Sequence, residues 1–205
     1  MRLLRRVMRT LLPALLCTVP ILAQRHEVGL TLGGLLSQDR GSAQSESLTL
    51  GGGIALQANY GYALLRTRKT ALYGEVHFLA NPLRDVSSAN RGATRDLATL
   101  YVTPGIRLKL FPNGRVSPYL AVGGGYALYE QSTELLRGGP NPAPRFLNRG
   151  AVDFGGGADV RFWRFIALRA EIRDFYTGSP AYNTRSITGG QHNVVAGGGI
   201  VLRFH

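Results

Sequence analysis

The chain has 205 residues, enough for one domain or at most two. Lys and Arg number 24 against 12 Asp and Glu, a basic balance that suits either nucleic acid or an anionic surface. The single cysteine, Cys17, lies near the N-terminus, so the rest of the chain has no disulfide, thiolate nucleophile or cysteine metal site.

Arg2, Arg5, Arg6 and Arg9 form a positive start, Leu11 to Leu22 is a short apolar run, and Ala23 is a small residue suited to a cut. This is the pattern of an export signal, residues 1–23, and the run is too short for a membrane anchor. Its removal leaves 20 basic against 12 acidic residues. The remaining arginines are scattered at alternating and loop positions, and an exported chain meets no nucleic acid. The charge therefore points to anionic headgroups and to arginines paired inside the fold. After Ala23 no apolar run reaches the length of a membrane helix, so membrane entry requires a closed barrel.

The first strand is expected over Glu27 to Leu36, with Val28, Leu30 and Leu32 on one face. Asp39 to Glu46 is polar and reads as a loop. The second strand covers Leu48 to Tyr62, with Leu50, Ile54, Leu56, Ala58 and Tyr60 on one face, and Leu65 to Thr70 is a short basic turn. The third covers Ala71 to Ala80, setting Leu72, Val76 and Phe78 against Tyr73, Glu75 and His77. Asn81 to Arg95 reads as a long polar loop.

Leu97 to Gln131 carries the clearest signal. Leu100, Val102, Pro104, Ile106, Leu108 and Leu110 alternate with Tyr101, Thr103, Gly105, Arg107 and Lys109, a period of two. Phe111-Pro112-Asn113-Gly114 breaks the pattern with turn chemistry. Alternation resumes after Pro118, with Leu120, Val122, Tyr126 and Leu128 on one side. Each arm has about 11 residues, the length that crosses a bilayer at a tilt. Pro104 removes a ladder hydrogen bond, so a bulge or local irregularity is expected there.

Gln131 to Asn148 reads as a second long loop. The sixth strand covers Gly150 to Phe162, with Asp153, Asp159 and Arg161 opposite Val152, Phe154 and Val160. After a tight connection at Trp163 to Phe165 comes the seventh, Ile166 to Tyr176, with Arg169, Glu171 and Arg173 opposite Leu168 and Ile172. Thr177 to Gln191 is a further long loop, and the eighth strand covers His192 to Phe204, including Arg203. The expected fold is all-β: an eight-stranded antiparallel up-and-down transmembrane β-barrel, residues 24–205. Long and short connections alternate, as in outer-membrane barrels, which places both termini at the periplasmic end.

Alternation alone does not say which face is inside. Three features favour lipid on the Leu/Val face. Aromatics cluster near strand ends: Tyr60, Tyr62, Phe111, Tyr119, Phe162, Trp163 and Phe204 at one end, and Phe78, Tyr126, Tyr129, Phe175 and Tyr176 at the other. Such residues form girdles at headgroup level. The opposite face mixes charge signs, so Glu75, Asp153, Asp159 and Glu171 can pair with Arg107, Lys109, Arg161, Arg169, Arg173 and Arg203 in a lumen just wide enough for side chains. Gly51–Gly53, Gly123–Gly125, Gly155–Gly157 and Gly197–Gly199 fall inside strands, where glycine permits curvature and room for large neighbours. No helix follows any of them, against a phosphate-binding loop.

With these residues on the page, the chain resembles the small outer-membrane β-barrel proteins, the OmpA/OmpX/OmpW-like group and porin-family barrel domains. The resemblance rests on the export signal, the eight strands, Thr103-Pro104-Gly105-Ile106-Arg107 leading into Ser117-Pro118-Tyr119, and the terminal strand Val194–Phe204. That strand is similar to the signal read by the barrel-assembly machinery, although here His205 follows the aromatic. The resemblance implies the bacterial outer membrane, contact with its lipid including anionic glycolipid, and no cofactor. It leaves function open, because a fold does not fix an activity.

Some barrels of this class act on lipid A, and the deacylase type carries a His-x-Ser pair. His26-Glu27-Val28, His77-Phe78-Leu79 and His192-Asn193-Val194 do not match, and the four histidines lack metal-ligand spacing. His77 beside Glu75 reads as a hydrogen-bonded lumen histidine rather than a proton-responsive pair. Arg40, Arg84, Arg91, Arg95, Arg137, Arg145, Arg149 and Arg185 fall in the long loops, where arginine serves solubility or holds glycolipid phosphate. The expectation is a non-enzymatic barrel with a structural or adhesive role, or slow passage of small solutes. The alternatives are a lipid-modifying barrel enzyme and a soluble periplasmic barrel with a ligand in an apolar lumen.

Overall fold

A computed structural model describes residues 25–37, 48–88, 92–178 and 190–204. The expected signal segment, the Asp39–Glu46 loop, Arg40, Arg91, Arg185 and His205 lie outside the described residues. The strands are β1 (His26–Ser37), β2 (Leu48–Leu50), β3 (Gly53–Arg66), β4 (Thr70–Ser88), β5 (Asp96–Leu110), β6 (Val116–Gln131), β7 (Phe146–Arg161), β8 (Ile166–Thr177) and β9 (Gln191–Phe204). Every long strand pairs antiparallel with two neighbours, and β1 pairs with β9 to close the sheet. The result is a closed eight-stranded barrel, with the three-residue β2 added against the far end of β4. Among the described residues, closure leaves no long strand with an unpaired edge, the condition for a sheet in hydrocarbon.

Period-two alternation sets the two faces. Leu30, Leu120 and Ile172 on the outside are 60%, 70% and 55% exposed, whereas Arg107 and Asp159 on the inside are fully buried. The apolar side of every strand therefore faces outward, as lipid requires. A soluble barrel with a greasy centre is excluded by the same placement.

Some expected boundaries move. The second strand is broken at Gly51 and Gly52, so β2 and β3 are separate. β4 continues to Ser88, eight residues into what its polarity marked as loop. There Leu48 pairs with Ser88 on one side and Asp85 with Asp96 on the other, after a register shift between Asn81 and Arg84. This part of the wall stands beyond the apolar band, where side chains meet water, so its composition does not look like strand. β7 likewise begins at Phe146, ahead of the expected Gly150.

Pro104 causes no bulge. Val102 faces Tyr126 and Gly105 faces Gly123 in one register, and β4 pairs straight through it. The β5–β6 ladder is instead interrupted at Thr103 and Pro104, opposite Gly125 and Gly124, which is the local irregularity expected there. The other register shift lies between Ala63 and Leu65, beside the first short turn. The Phe111–Gly114 turn forms as expected, with Phe111 in the left-handed region at φ 48°. Gly114 donates its N–H to the Phe111 carbonyl at 2.8 Å, and Ser117 Oγ donates to the same oxygen at 2.8 Å.

Lumen glycines make the interior fit. A Cβ on Gly61 would lie 2.6 Å from Arg107 Nη2, one on Gly123 2.4 Å from Asp153 Oδ1, and one on Gly157 2.7 Å from the Tyr119 hydroxyl. Others let the wall bend: a Cβ on Gly199 would meet the Leu30 carbonyl at 1.9 Å.

Candidate functional site in the barrel lumen

The lumen has two layers. Toward the short turns it is ionic. Glu27, on the inward parity of β1, sits at the centre of this layer. Its carboxylate accepts from Lys109 Nζ at 2.6 and 2.7 Å and from Arg107 Nη2 at 2.9 Å. Arg203 Nε is 3.3 Å away, and the Tyr73 hydroxyl donates to Glu27 Oε1 at 3.1 Å. Lys109 also meets Asp159 at 2.7 Å, and Arg169 Nε donates to Asp159 at 2.8 Å. Deeper in, Arg107 Nε lies 3.0 Å from Glu75, while Arg173 pairs with Glu75, with Asp153 at 2.7 Å and with Glu171 at 3.2 Å.

These pairs join five carboxylates to five cations, all buried. The balance matters because an unpaired buried charge is costly. Aromatics complete the packing. Arg107 lies over the rings of Tyr73 and Tyr119 at 4.9 and 5.4 Å, and Arg169 lies over Tyr119 at 4.7 Å. The Tyr119 hydroxyl donates to Glu171 at 2.6 Å.

Toward the long loops the lumen becomes apolar. Leu35, Leu79, Leu97, Tyr101, Tyr129, Phe175 and Val195 form one buried cluster. Tyr101 and Phe175 rings lie 5.1 Å apart, and the Tyr129 hydroxyl is 2.6 Å from Thr177 Oγ1. Arg84 crosses this end: it donates to the Ser37 hydroxyl, to Asn193 Oδ1 at 3.4 Å and to the Gly51 carbonyl at 3.3 Å.

Glu75, Arg107, Lys109, Asp153, Asp159, Arg169, Glu171, Arg173 and Arg203 are thus brought together. Arg161 is not. It ends β7 on the inward parity but is exposed, because the strand leaves the barrel at that point. Glu27 was missed as a network member, although its alternation with Val28 carries the signal. His77 is buried, with Nε2 3.1 Å from Gln57 Oε1 and Nδ1 3.9 Å from Glu75.

The girdle divides similarly. Tyr60, Phe78, Phe111, Tyr126, Phe162, Trp163, Tyr176 and Phe204 are exposed on the outer wall, and Tyr62 is half-buried against His26. Tyr119, Tyr129 and Phe175 point into the lumen, because inward parity overrides their closeness to strand ends. Of the loop arginines, Arg84 belongs to the lumen. Arg95 pairs with Glu134 at 2.7 Å and Arg145 with Glu130 at 2.5 Å. Arg137 is exposed and Arg149 is half-buried.

Among the described residues the outer wall also carries an acid–base pair that no local sequence motif marks. Asp174 on β8 and His192 on β9 both face outward near the long-loop end, with His192 Nδ1 2.5 Å from Asp174 Oδ2 and the Tyr176 ring 4.8 Å from the imidazole.

A closed eight-stranded wall, apolar outside and ionic within, defines an outer-membrane β-barrel protein. The chain belongs to the family described as outer membrane protein beta-barrel domain, whose profile matches residues 10–199. It is a bacterial outer-membrane protein. No curated protein sequence matches the chain. Among solved structures it is similar to the outer membrane protein OprG from Pseudomonas aeruginosa, at 13% identity and a TM-score of 0.58, covering 89% of this chain and 97% of that one. It is also similar to Neisserial surface protein A, at 14% identity and a TM-score of 0.54, covering 87% and 97%. At these identities the likeness concerns the fold alone.

Proposed function

We propose that the protein is a non-enzymatic outer-membrane barrel acting through its outer surface and loops, in a structural or adhesive role, with no solute path along its axis. The observation that supports this is the filled lumen: a neutral ionic layer beneath an apolar plug, bridged by Arg84. Ions crossing it would have to displace charge pairs and then enter an apolar layer, both at high cost. Its partners in this reading are outer-membrane lipid, including anionic glycolipid, and the assembly machinery that receives β9. Planar-bilayer recording tests the reading. The barrel is expected to give no unitary steps, and steady single-channel conductance from the folded protein would refute it.

A second reading rests on Asp174 and His192. A histidine held by a carboxylate at the lipid boundary is the base half of a hydrolytic site. Mass spectrometry of glycolipid incubated with the folded protein and with His192→Ala tests it. A mass change made by the first and not the second would establish the enzyme; unchanged glycolipid in both would dismiss it.

A further inference from the structure

One stretch of the lipid-facing wall is concave. Across β9, β1, β3, β4 and β5 lies a groove of about 770 Å³, within the range of about 300–1,000 Å³ that seats small molecules. The strand register explains it. Ala58 stands between Leu30 and Phe78 across the ladders, Ala80 between Leu56 and Leu100, and Gly198 beside Leu32. The bulky residues of these rows are exposed and stand up as walls, while the short ones form the floor. From β9 to β5 the groove runs roughly 19 Å at ~4.8 Å per strand. That exceeds the ~15 Å of one leaflet's hydrocarbon.

The lining is apolar throughout. Its two polar residues, Thr31 and Gln57, have inward parity and buried side chains, and Gln57 is bonded to His77 in the lumen. The floor backbone is committed to the ladders. The groove therefore offers no hydrogen bond to a polar ligand, and it is continuous with the wall that meets the bilayer. Its two ends differ. Val28 and Leu202 close it at the short-turn end, where Val28 faces Tyr60 across the ladder. There the Tyr60 hydroxyl is 2.7 Å from His26 Nδ1, and the imidazole stacks on Phe204 with ring centres 5.7 Å apart. Arg25, which is exposed, donates to the Tyr62 hydroxyl at 3.3 Å. Tyrosine rings mark headgroup level, and guanidinium is suited to phosphate. Beyond Ala80 and Leu100, at the other end, β4 and β5 set Asp85 directly opposite Asp96. Two carboxylates there repel an anionic headgroup.

We propose that this groove seats an acyl chain of a phospholipid from the leaflet at the short turns, which is the periplasmic leaflet in outer-membrane barrels. The phosphate lies beside Arg25, and the tail runs toward Ala80 and Leu100. An apolar wall in lipid gains nothing from the hydrophobic effect, so the chain is held by van der Waals contact. A groove touches the chain on three sides where a convex wall touches it on one. The inference depends on the membrane placement and not on the closed-lumen reading, so either can fail alone.

Native mass spectrometry tests it. The full barrel is folded into vesicles of palmitoyl-oleoyl phosphatidylglycerol, released into a neutral detergent that keeps it folded, and weighed. Most native barrels are expected to retain one phosphatidylglycerol. Ala58→Phe/Ala80→Phe fills the floor and should lower the retained fraction about fivefold, and Arg25→Gln/Tyr62→Phe about threefold. Leu120→Phe on the opposite wall and Asp85→Asn/Asp96→Asn at the far end should leave it unchanged. Gel mobility before and after boiling confirms folding, and if the filled variant does not fold, Ala58→Leu takes its place. A native barrel that retains no phospholipid would overturn the proposal. So would retention that survives the filled floor, or retention that rises when Asp85 and Asp96 are neutralised. A doubled barrel mass would overturn it too, since it would mark a second copy seated in the groove.

Discussion

Glu27→Gln isolates the electrostatic argument, because glutamine keeps the shape and can still accept from Tyr73, now 3.1 Å from the carboxylate. The substitution leaves five buried cations facing four carboxylates. Lys109 would keep only Asp159, at 2.7 Å, and Arg107 only Glu75, at 3.0 Å. Breaking a buried pair from one side costs about 3–5 kcal/mol. With an m-value of about 2 kcal/mol/M, the urea midpoint should fall by ~2 M. Urea titration in phospholipid vesicles, followed by Trp163 emission and by gel mobility, measures it. The companion Glu27→Gln/Lys109→Met restores neutrality and should recover more than half the loss. A single variant within about 0.5 kcal/mol of the native barrel would mean that water solvates the lumen charges, and the reasoning would fail.

The corrected placement of Arg161 gives a paired test: Arg161→Gln should change stability by less than about 0.5 kcal/mol, while Arg169→Gln, which strips Asp159 of its 2.8 Å partner, should cost about 3–5 kcal/mol in the same titration. Glycine space gives another. Gly199→Ala drives a Cβ into the Leu30 carbonyl and should cost about 1–3 kcal/mol, whereas Gly34→Ala, with nothing within 4 Å of the new Cβ, should be tolerated. Phe175→Ala removes a fully buried ring from the apolar plug and should cost about 3–5 kcal/mol by urea midpoint; a smaller loss would show the plug to be loosely packed.

The wall was legible because period two is a local signal repeated over many residues. It set the strand count, the pairing of neighbours and the membership of most lumen charges. Errors arose where another cue was allowed to override it. Tyr119, Tyr129 and Phe175 all have inward parity, but closeness to strand ends suggested a girdle. Glu27 has the same parity as Thr31 and went unremarked at the start of its strand. Arg161 obeyed the alternation but stands where the strand leaves the barrel, so parity alone could not place it. Asn81–Ser88 and Arg84 were unreadable for a different reason: beyond the membrane an outward residue meets water, and the apolar–polar contrast vanishes. The Asp174–His192 pair joins residues 18 apart across two strands, and only the register brings them together.

The ionic layer also bears on how the barrel closes. Neighbouring strands are already tied by their ladders, but several charge pairs reach strands that are not neighbours: Arg107 and Lys109 of β5 meet Glu27 of β1, and Arg173 of β8 meets Glu75 of β4. Such pairs exist only when all eight strands are closed in one register, since a slip of a single residue turns a side chain from lumen to lipid. They therefore discriminate against misregistered closure more than they add to ladder strength, a role for which buried polar groups are suited. The Glu27→Gln/Lys109→Met barrel separates the two contributions. Its charge is balanced, so it should regain more than half of the urea midpoint lost by Glu27→Gln, yet it lacks the tie between β1 and β5. The time course of conversion from unfolded to folded mobility in vesicles should be slower, with a larger fraction of trapped, slow-converting chains. A time course equal to that of the native protein would show that the hydrogen-bond ladders alone select the register.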